Sequence, residues 1–201
     1  AYQRQYNPKL IAVARPHHLI WTGGSVTLDA SKSWSRSGMV ASYKWQCDDG
    51  STIVGRQVKR AYDKPGRYSE VLRISDDAGN VAYDFAIVIV VDRDNPERRI
   101  PTIHPNFYPT TGIHPGDPVT FKVRTFNTTA GKEVWDFGDG SPKVEVQSDG
   151  NAVKLAPDGY AVTTHRFEKP GDYVVRVDRA NEFGVTAVGH LHVHVASDQA
   201  R

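Results

Sequence analysis

Residues 135–141 read Trp-Asp-Phe-Gly-Asp-Gly-Ser, and residues 45–51 read Trp-Gln-Cys-Asp-Asp-Gly-Ser. The match continues downstream, where Tyr62-Asp63-Lys64-Pro65-Gly66-Arg67-Tyr68 is answered by Phe167-Glu168-Lys169-Pro170-Gly171-Asp172-Tyr173. Upstream, Gly24-Ser25-Val26-Thr27-Leu28 aligns with Asp117-Pro118-Val119-Thr120-Phe121. Beyond the Pro-Gly pairs, Asp77-Ala78-Gly79-Asn80 aligns with Asn181-Glu182-Phe183-Gly184. Landmarks repeated in one order mark a tandem duplication, and such self-similarity decides the architecture before any local reading does.

Between the copies, Asp92-Arg93-Asp94-Asn95-Pro96-Glu97-Arg98-Arg99 is charged, free of apolar residues and broken by proline, the composition of a linker. The division expected is a first unit at 9–92, a charged linker at 93–101 and a second unit at 102–195. From Trp45 to Pro65 is 20 residues, whereas Trp135 to Pro170 is 35, so the second copy carries an insertion at about 144–160. Turn signals in Ser148-Asp149-Gly150-Asn151 and Pro157-Asp158-Gly159 flank Ala152-Val153-Lys154-Leu155 and predict an added hairpin or long loop.

Hydrophobicity alternates with period two. Val81, Tyr83, Phe85, Ile87, Ile89 and Val91 alternate with Ala82, Asp84 and Ala86, and Leu191, Val193 and Val195 alternate with His190, His192 and His194. No amphipathic helix longer than two turns is found. Half-buried antiparallel strands follow, giving an all-β chain of two tandem β-sandwiches with about seven strands each.

Composition removes several function classes. The 201 residues carry 25 Lys+Arg against 23 Asp+Glu, too balanced for a protein that grips phosphate backbones, so no nucleic-acid partner is expected. The lone Cys47 excludes an intramolecular disulfide and any CxxC site. No apolar run approaches the roughly 18–20 residues of a membrane span. The chain opens at Ala1 with neither initiator Met nor a signal-type stretch, as expected of a processed chain or a fragment.

The Trp-Asp-Phe-Gly-Asp-Gly-Ser of the second unit, followed by His165-Arg166-Phe167-Glu168-Lys169-Pro170-Gly171-Asp172-Tyr173, resembles the signature of PKD domains, immunoglobulin-like sandwiches named for polycystic kidney disease. The first unit is similar but looser: Asp29-Ala30-Ser31 and Tyr43-Lys44-Trp45 fit, while Gln46, Cys47 and Asp48 replace the usual Asp, aromatic and Gly. On this reading Trp45, Trp135, Tyr68 and Tyr173 are structural core, the tyrosines forming a tyrosine corner after the Pro-Gly turn. The resemblance implies a non-catalytic accessory module of a secreted or cell-surface protein, often a polysaccharide-degrading enzyme or peptidase. The implied partners are a covalently linked catalytic domain and a polysaccharide or cell-surface glycan. The alternative is a structural or adhesive protein–protein module whose edge strands pair with a neighbour.

No catalytic set assembles. Asp48/Asp49 and Asp136/Asp139 fall on tight turns after a tryptophan, where Asp is favoured by turn geometry, and Cys47 stands at an aromatic position. His190, His192 and His194 share one face of a strand at a spacing of about 6.6 Å and could supply metal ligands, or else face solvent while their neighbours pack inward. Some bacterial PKD domains bind calcium in the loop after Asp-Ala-Ser. Here that loop is Lys32-Ser33-Trp34-Ser35-Arg36-Ser37-Gly38, with serines where the family often has Asp, and no cofactor is expected. Carbohydrate binding is the sharpest positive reading. Trp34 in a polar loop, Trp21 before a Gly-Gly turn, and Phe107 and Tyr108 between prolines could stack on sugar rings, or could cover the ends of the sandwiches.

Overall fold

Short alternating stretches can bury one face only as strands, and strands are what form. The computed structural model describes residues 8–149 and 159–197, among which there are sixteen strands and no α-helix. The chain divides into two compact units between Pro96 and Glu97.

The first unit begins with β1 (Leu10–Ile11), β2 (His18–Trp21), β3 (Gly24–Asp29), β4 (Trp34–Ser35) and β5 (Ser42–Gln46). It continues with β6 (Thr52–Val54), β7 (Gln57–Tyr62), β8 (Gly66–Ser75) and β9 (Val81–Val91). One sheet runs β2-β9-β8-β5-β6, antiparallel except where β2 lies parallel to β9. The β3–β7 pair faces it across a core containing Leu28, Trp45, Leu72, Ile74, Val88 and Val90, all fully buried. The two-residue strands β1 and β4 pair as a separate ribbon.

The second unit has β10 (Thr102–Tyr108), β11 (Val119–Phe126), β12 (Glu133–Asp136) and β13 (Val144–Val146). Then follow β14 (Ala161–His165), β15 (Gly171–Ala180) and β16 (Thr186–Val195). Sheets β10-β11-β14 and β13-β12-β15-β16 enclose Ile103, Phe121, Trp135, Phe167, Val175 and Val193. The register repeats that of the first unit: Val26 faces Arg60 across β3–β7, and Val119 faces His165 across β11–β14.

The repeated motifs do the same local work twice. Asp49 Oδ1 accepts the Ser51 N–H at 2.9 Å, and Asp139 Oδ1 accepts the Ser141 N–H at 3.0 Å. Gly50 and Gly140 both follow at φ 84°, a left-handed conformation that glycine adopts without steric cost. Tyr68 donates its hydroxyl to Lys64 O at 2.9 Å, and Tyr173 to Lys169 O at 2.8 Å, so each Pro-Gly turn is tied down by a tyrosine corner. After β8 and β15 the alignment shifts by one residue from the one read in the sequence. Asp76, not Asp77, matches Asn181, because both side chains cap a turn whose glycine is left-handed, Gly79 at φ 78° and Gly184 at φ 75°.

The insertion starts later than 144. Val144–Val146 is a strand pairing with β12 as β6 pairs with β5, so the extra residues lie between β13 and β14. Their root is closed by Asp149 N–H on Gly159 O at 3.1 Å and by Arg124, whose Nε and Nη2 each lie 3.1 Å from an Asp149 carboxylate oxygen. The hairpin expected around Ala152–Leu155 falls outside the described residues.

Candidate functional site

Trp34 does not sit in a loop. It is on β4, opposite Ile11 of β1, while Leu10 and Ser35 are opposite each other one residue along. Successive side chains point to opposite faces, so Leu10 and Ser35 turn inward at 8% and 4% exposure, and Ile11 and Trp34 turn outward at 40% and 47%. The ribbon is firmly built. Arg36 N–H donates to Lys9 O at 2.8 Å, Val13 N–H to Ser33 Oγ at 3.0 Å and Gly38 N–H to Ser35 O at 3.1 Å. Beside it opens a cleft of about 350 Å³ lined by Lys9, Arg36, Ser37, Asp76, Ala78 and Asn80.

Asp76 anchors that cleft. One oxygen accepts the Asn80 N–H at 2.9 Å and the Ala78 N–H at 3.1 Å, and the other accepts Asn80 Nδ2 at 2.9 Å and Ser35 Oγ at 3.2 Å. The Asn80 amide, ahead of the other donors, holds the Asp76 carboxyl below its usual range.

The remaining candidates are dispersed. Trp21 lies on edge strand β2, outward at 48% exposure and on the same face as Leu19 at 70%. Tyr108 is outward on β10 at 76% exposure. Phe107, on the other face of β10, is not free to stack on a ligand: its ring packs on Phe121 at 5.9 Å and 26°, against the core. Trp45 and Trp135 are fully buried, and Tyr68 and Tyr173 pack against the two cores.

The histidine ladder does not converge on a ligand set. Asp172 stands opposite His194, so His192 Nε2 and His194 Nδ1 both lie 2.9 Å from Asp172 Oδ1, while His190 faces the cationic Arg176. Burial would raise the Asp172 carboxyl, but the His194 and His192 hydrogen bonds outweigh it and hold it low. Among the described residues no group of three His, Cys, Asp or Glu is placed to hold a metal ion. In the loop tied to calcium, Asp29 is committed to the Ser31 N–H at 2.7 Å and Gln57 Nε2 at 2.9 Å.

A second cleft of about 380 Å³, which no sequence motif announces, is lined by Asp48, Asp49, Arg60, Tyr62, Asp63 and Tyr68 among others. Behind three of these residues Glu70, fully buried, accepts Asp48 N–H at 2.8 Å, Arg60 Nε at 2.8 Å and Tyr62 OH at 2.9 Å. Arg60 also reaches Asp49 at 3.2 Å. Hydrogen bonds from the Ser51 hydroxyl and N–H lower the Asp49 carboxyl to about 2. The signal was available: Glu70 shares strand parity with the inward Leu72 and Ile74. Through these bonds the buried Glu70 carboxylate ties Asp48, Arg60 and Tyr62 together and locks a turn onto the sheet.

Two facing sheets per unit, a buried tryptophan and a tyrosine corner define an immunoglobulin-like β-sandwich. The PKD-domain family models match residues 7–91 and 105–195, and the chain belongs to that family. Its fold is similar to β-sandwich superfamily carbohydrate-binding modules of promiscuous specificity, at 15% identity and TM-score 0.38 over 96% of this chain and 86% of that one. The Clostridium thermocellum CbhA fibronectin(III)-like modules match at 11% identity and TM-score 0.35, over 92% and 93%. The Bacteroides ovatus SGBP-B protein of a mixed-linkage glucan utilization locus, solved with a heptasaccharide, matches at 13% identity and TM-score 0.33 over 93% of this chain and 46% of that one. At these scores the overlaps carry no weight for function. Among the described residues no helix is long and apolar enough to cross a membrane.

Proposed function

We propose that the chain is a non-catalytic accessory segment of an extracellular multidomain protein, where it acts as spacer and carbohydrate-binding module with Trp34 as the sugar platform. A polysaccharide-degrading enzyme is the parent that the family resemblance implies. The observation that carries the reading is an indole held 47% exposed on a hydrogen-bonded ribbon beside a polar cleft. Leaving half of a side chain of roughly 200 Å² in water forgoes about 2–3 kcal/mol of burial, a cost that a stacking ligand recovers. Affinity electrophoresis against a panel of polysaccharides tests it. Trp34→Ala is expected to abolish retention at an unchanged melting temperature. Loss of melting temperature with retention intact would make Trp34 a packing residue.

A second reading, an adhesive protein–protein module, is favoured by one observation. Edge strand β2 presents Leu19 and Trp21 outward, and edge strand β6 presents Val54 at 75% exposure. Unpaired edge backbone flanked by apolar side chains accepts a partner's strand. No retention on any glycan, together with self-association abolished by Leu19→Lys, would favour this reading over the first.

A further inference from the structure

Residues opposite one another in an antiparallel pair, and residues two apart along each strand, share a face. The Arg36 N–H to Lys9 O bond continues the β1–β4 register by one residue, so Lys9 stands opposite Arg36 as Ile11 stands opposite Trp34. Carried one residue past each strand, the alternation sets Lys9 and Arg36 on the outward side of the ribbon with Ile11 and Trp34. All four are exposed, and among the described residues neither cation forms an ion pair. Both line the adjoining cleft, whose one carboxylate, Asp76, is 6% exposed and already accepts hydrogen bonds from Ser35, Ala78 and Asn80.

Among the described residues the cleft thus holds two cations without an ion pair, and its one carboxylate is already engaged. A neutral sugar offers hydroxyls that both donate and accept, and gains most where carboxylates stand ready to receive. The Lys9 ammonium and the Arg36 guanidinium only donate, and a guanidinium fork fits the paired oxygens of a carboxylate or sulfate. We infer that the ligand of this face is an anionic polysaccharide, its sugar ring stacked on Trp34 and its carboxylate or sulfate groups held by Arg36 and Lys9. The inference rests on the carbohydrate-binding reading and deepens it.

The test uses affinity gels with the whole chain, containing polygalacturonate, its carboxyl-reduced form, a sulfated galactan, a neutral mixed-linkage glucan, or dextran sulfate as a plain polyanion. Wild type is compared with Trp34→Ala and with Lys9→Gln/Arg36→Gln, each checked for an unchanged melting temperature. The expected result is retention on the acidic galacturonan or the sulfated galactan, weakened about tenfold or more by either variant, a factor that charged hydrogen bonds readily supply. Loss of retention on carboxyl reduction would assign the carboxylate, and retention on the galactan alone the sulfate. Retention on the neutral glucan or the reduced polymer, lost in Trp34→Ala but kept in Lys9→Gln/Arg36→Gln, would overturn the anionic inference and leave carbohydrate binding standing. Equal retention on dextran sulfate that survives Trp34→Ala would show ion exchange only and overturn both, as would no retention on any gel.

Discussion

In the second unit the turn after the core tryptophan is backed by rings. Phe137 stacks on His165 at 3.9 Å and 2°, lies parallel to Trp135 at 6.1 Å, and meets Phe121 at 5.1 Å. The first unit holds the same backbone with other chemistry. Cys47 stands at the place of Phe137, Glu70 at that of Val175, Arg60 at that of His165 and Tyr62 at that of Phe167. A small side chain where a ring stood makes room for a carboxylate, so volume is roughly kept while polarity is inverted. Toward the other end of the strands the exchange runs the opposite way. Ile74 and Tyr43 in the first unit occupy the places of Arg179 and Glu133, a fully buried ion pair 2.9 Å apart that also takes in Thr125 and Ser148. The sandwich accepts a buried Glu–Arg pair at either end, provided that neighbouring donors close around the carboxylate.

The largest expected effects come from opening those pairs. Glu133→Gln leaves Arg179 uncompensated with no access to water and should cost about 3–5 kcal/mol of stability in the second unit. Glu70→Gln should cost less, about 1–3 kcal/mol, because Arg60 keeps Asp49 at 3.2 Å and is 11% exposed. The two also differ in pH dependence. Burial opposes the Glu133 charge, but hydrogen bonds from Ser148 and Thr125 and the Arg179 charge outweigh it and hold the carboxyl below 4.5. Its contribution is therefore complete above pH 4.5 and is lost as pH falls further, through the folded-state value. Burial raises the Glu70 carboxyl above 4.5 in spite of Arg60, so its protonation favours the folded form and stability rises as pH falls from that raised value to 4.5. Denaturant melts of the wild type against each variant across the acid range, followed by residue-resolved probes in each unit, would show equal differences only if the pairs were equivalent.

The fold was legible because two of its signals are local. Alternation marks β9 and β16, and the Asp-Gly-Ser and Pro-Gly-x-Tyr turns carry their geometry in three or four residues. The buried acids were legible in part, since Glu70 and Glu133 share parity with inward neighbours, yet parity cannot say which distant arginine meets them. The ribbon under Trp34 was not legible. β1 and β4 are two residues each, and what makes them strands is a pairing between positions 10–11 and 34–35 that leaves no periodic trace. Trp34 therefore read as a loop residue, and Lys9 and Arg36, brought together by that pairing, drew no attention. Phe107 misled for the reverse reason: prolines on either side suggested a turn, whereas β10 pairs with β11 through all seven residues from Thr102 to Tyr108.

The next effect tests whether the exchange of chemistry is concerted. Phe137→Cys removes a ring that touches His165, Trp135 and Phe121, and should cost about 2–4 kcal/mol. Cys47→Phe should cost about 1–3 kcal/mol, because Glu70 and Tyr62 already fill the space a ring would need. Adding Glu70→Val to Cys47→Phe should then recover part of the loss, so the double variant is more stable than the sum of the singles. Strict additivity would mean that the two positions do not share one volume.

The smallest effect separates the two tryptophans, which are equally buried but, among the described residues, not equally hydrogen-bonded. Trp45 Nε1 donates to Gly55 O at 3.0 Å, in the turn between β6 and β7. Trp135 Nε1 meets no acceptor among the described residues, and at the corresponding place the second unit carries the longer segment between β13 and β14. Replacing either indole by phenylalanine leaves a similar void. Trp45→Phe also strands the Gly55 carbonyl, whereas Trp135→Phe breaks no hydrogen bond among the described residues. Trp45→Phe should therefore cost about 1–2 kcal/mol more than Trp135→Phe in thermal unfolding followed unit by unit. Equal losses would mean that the Gly55 bond adds nothing net.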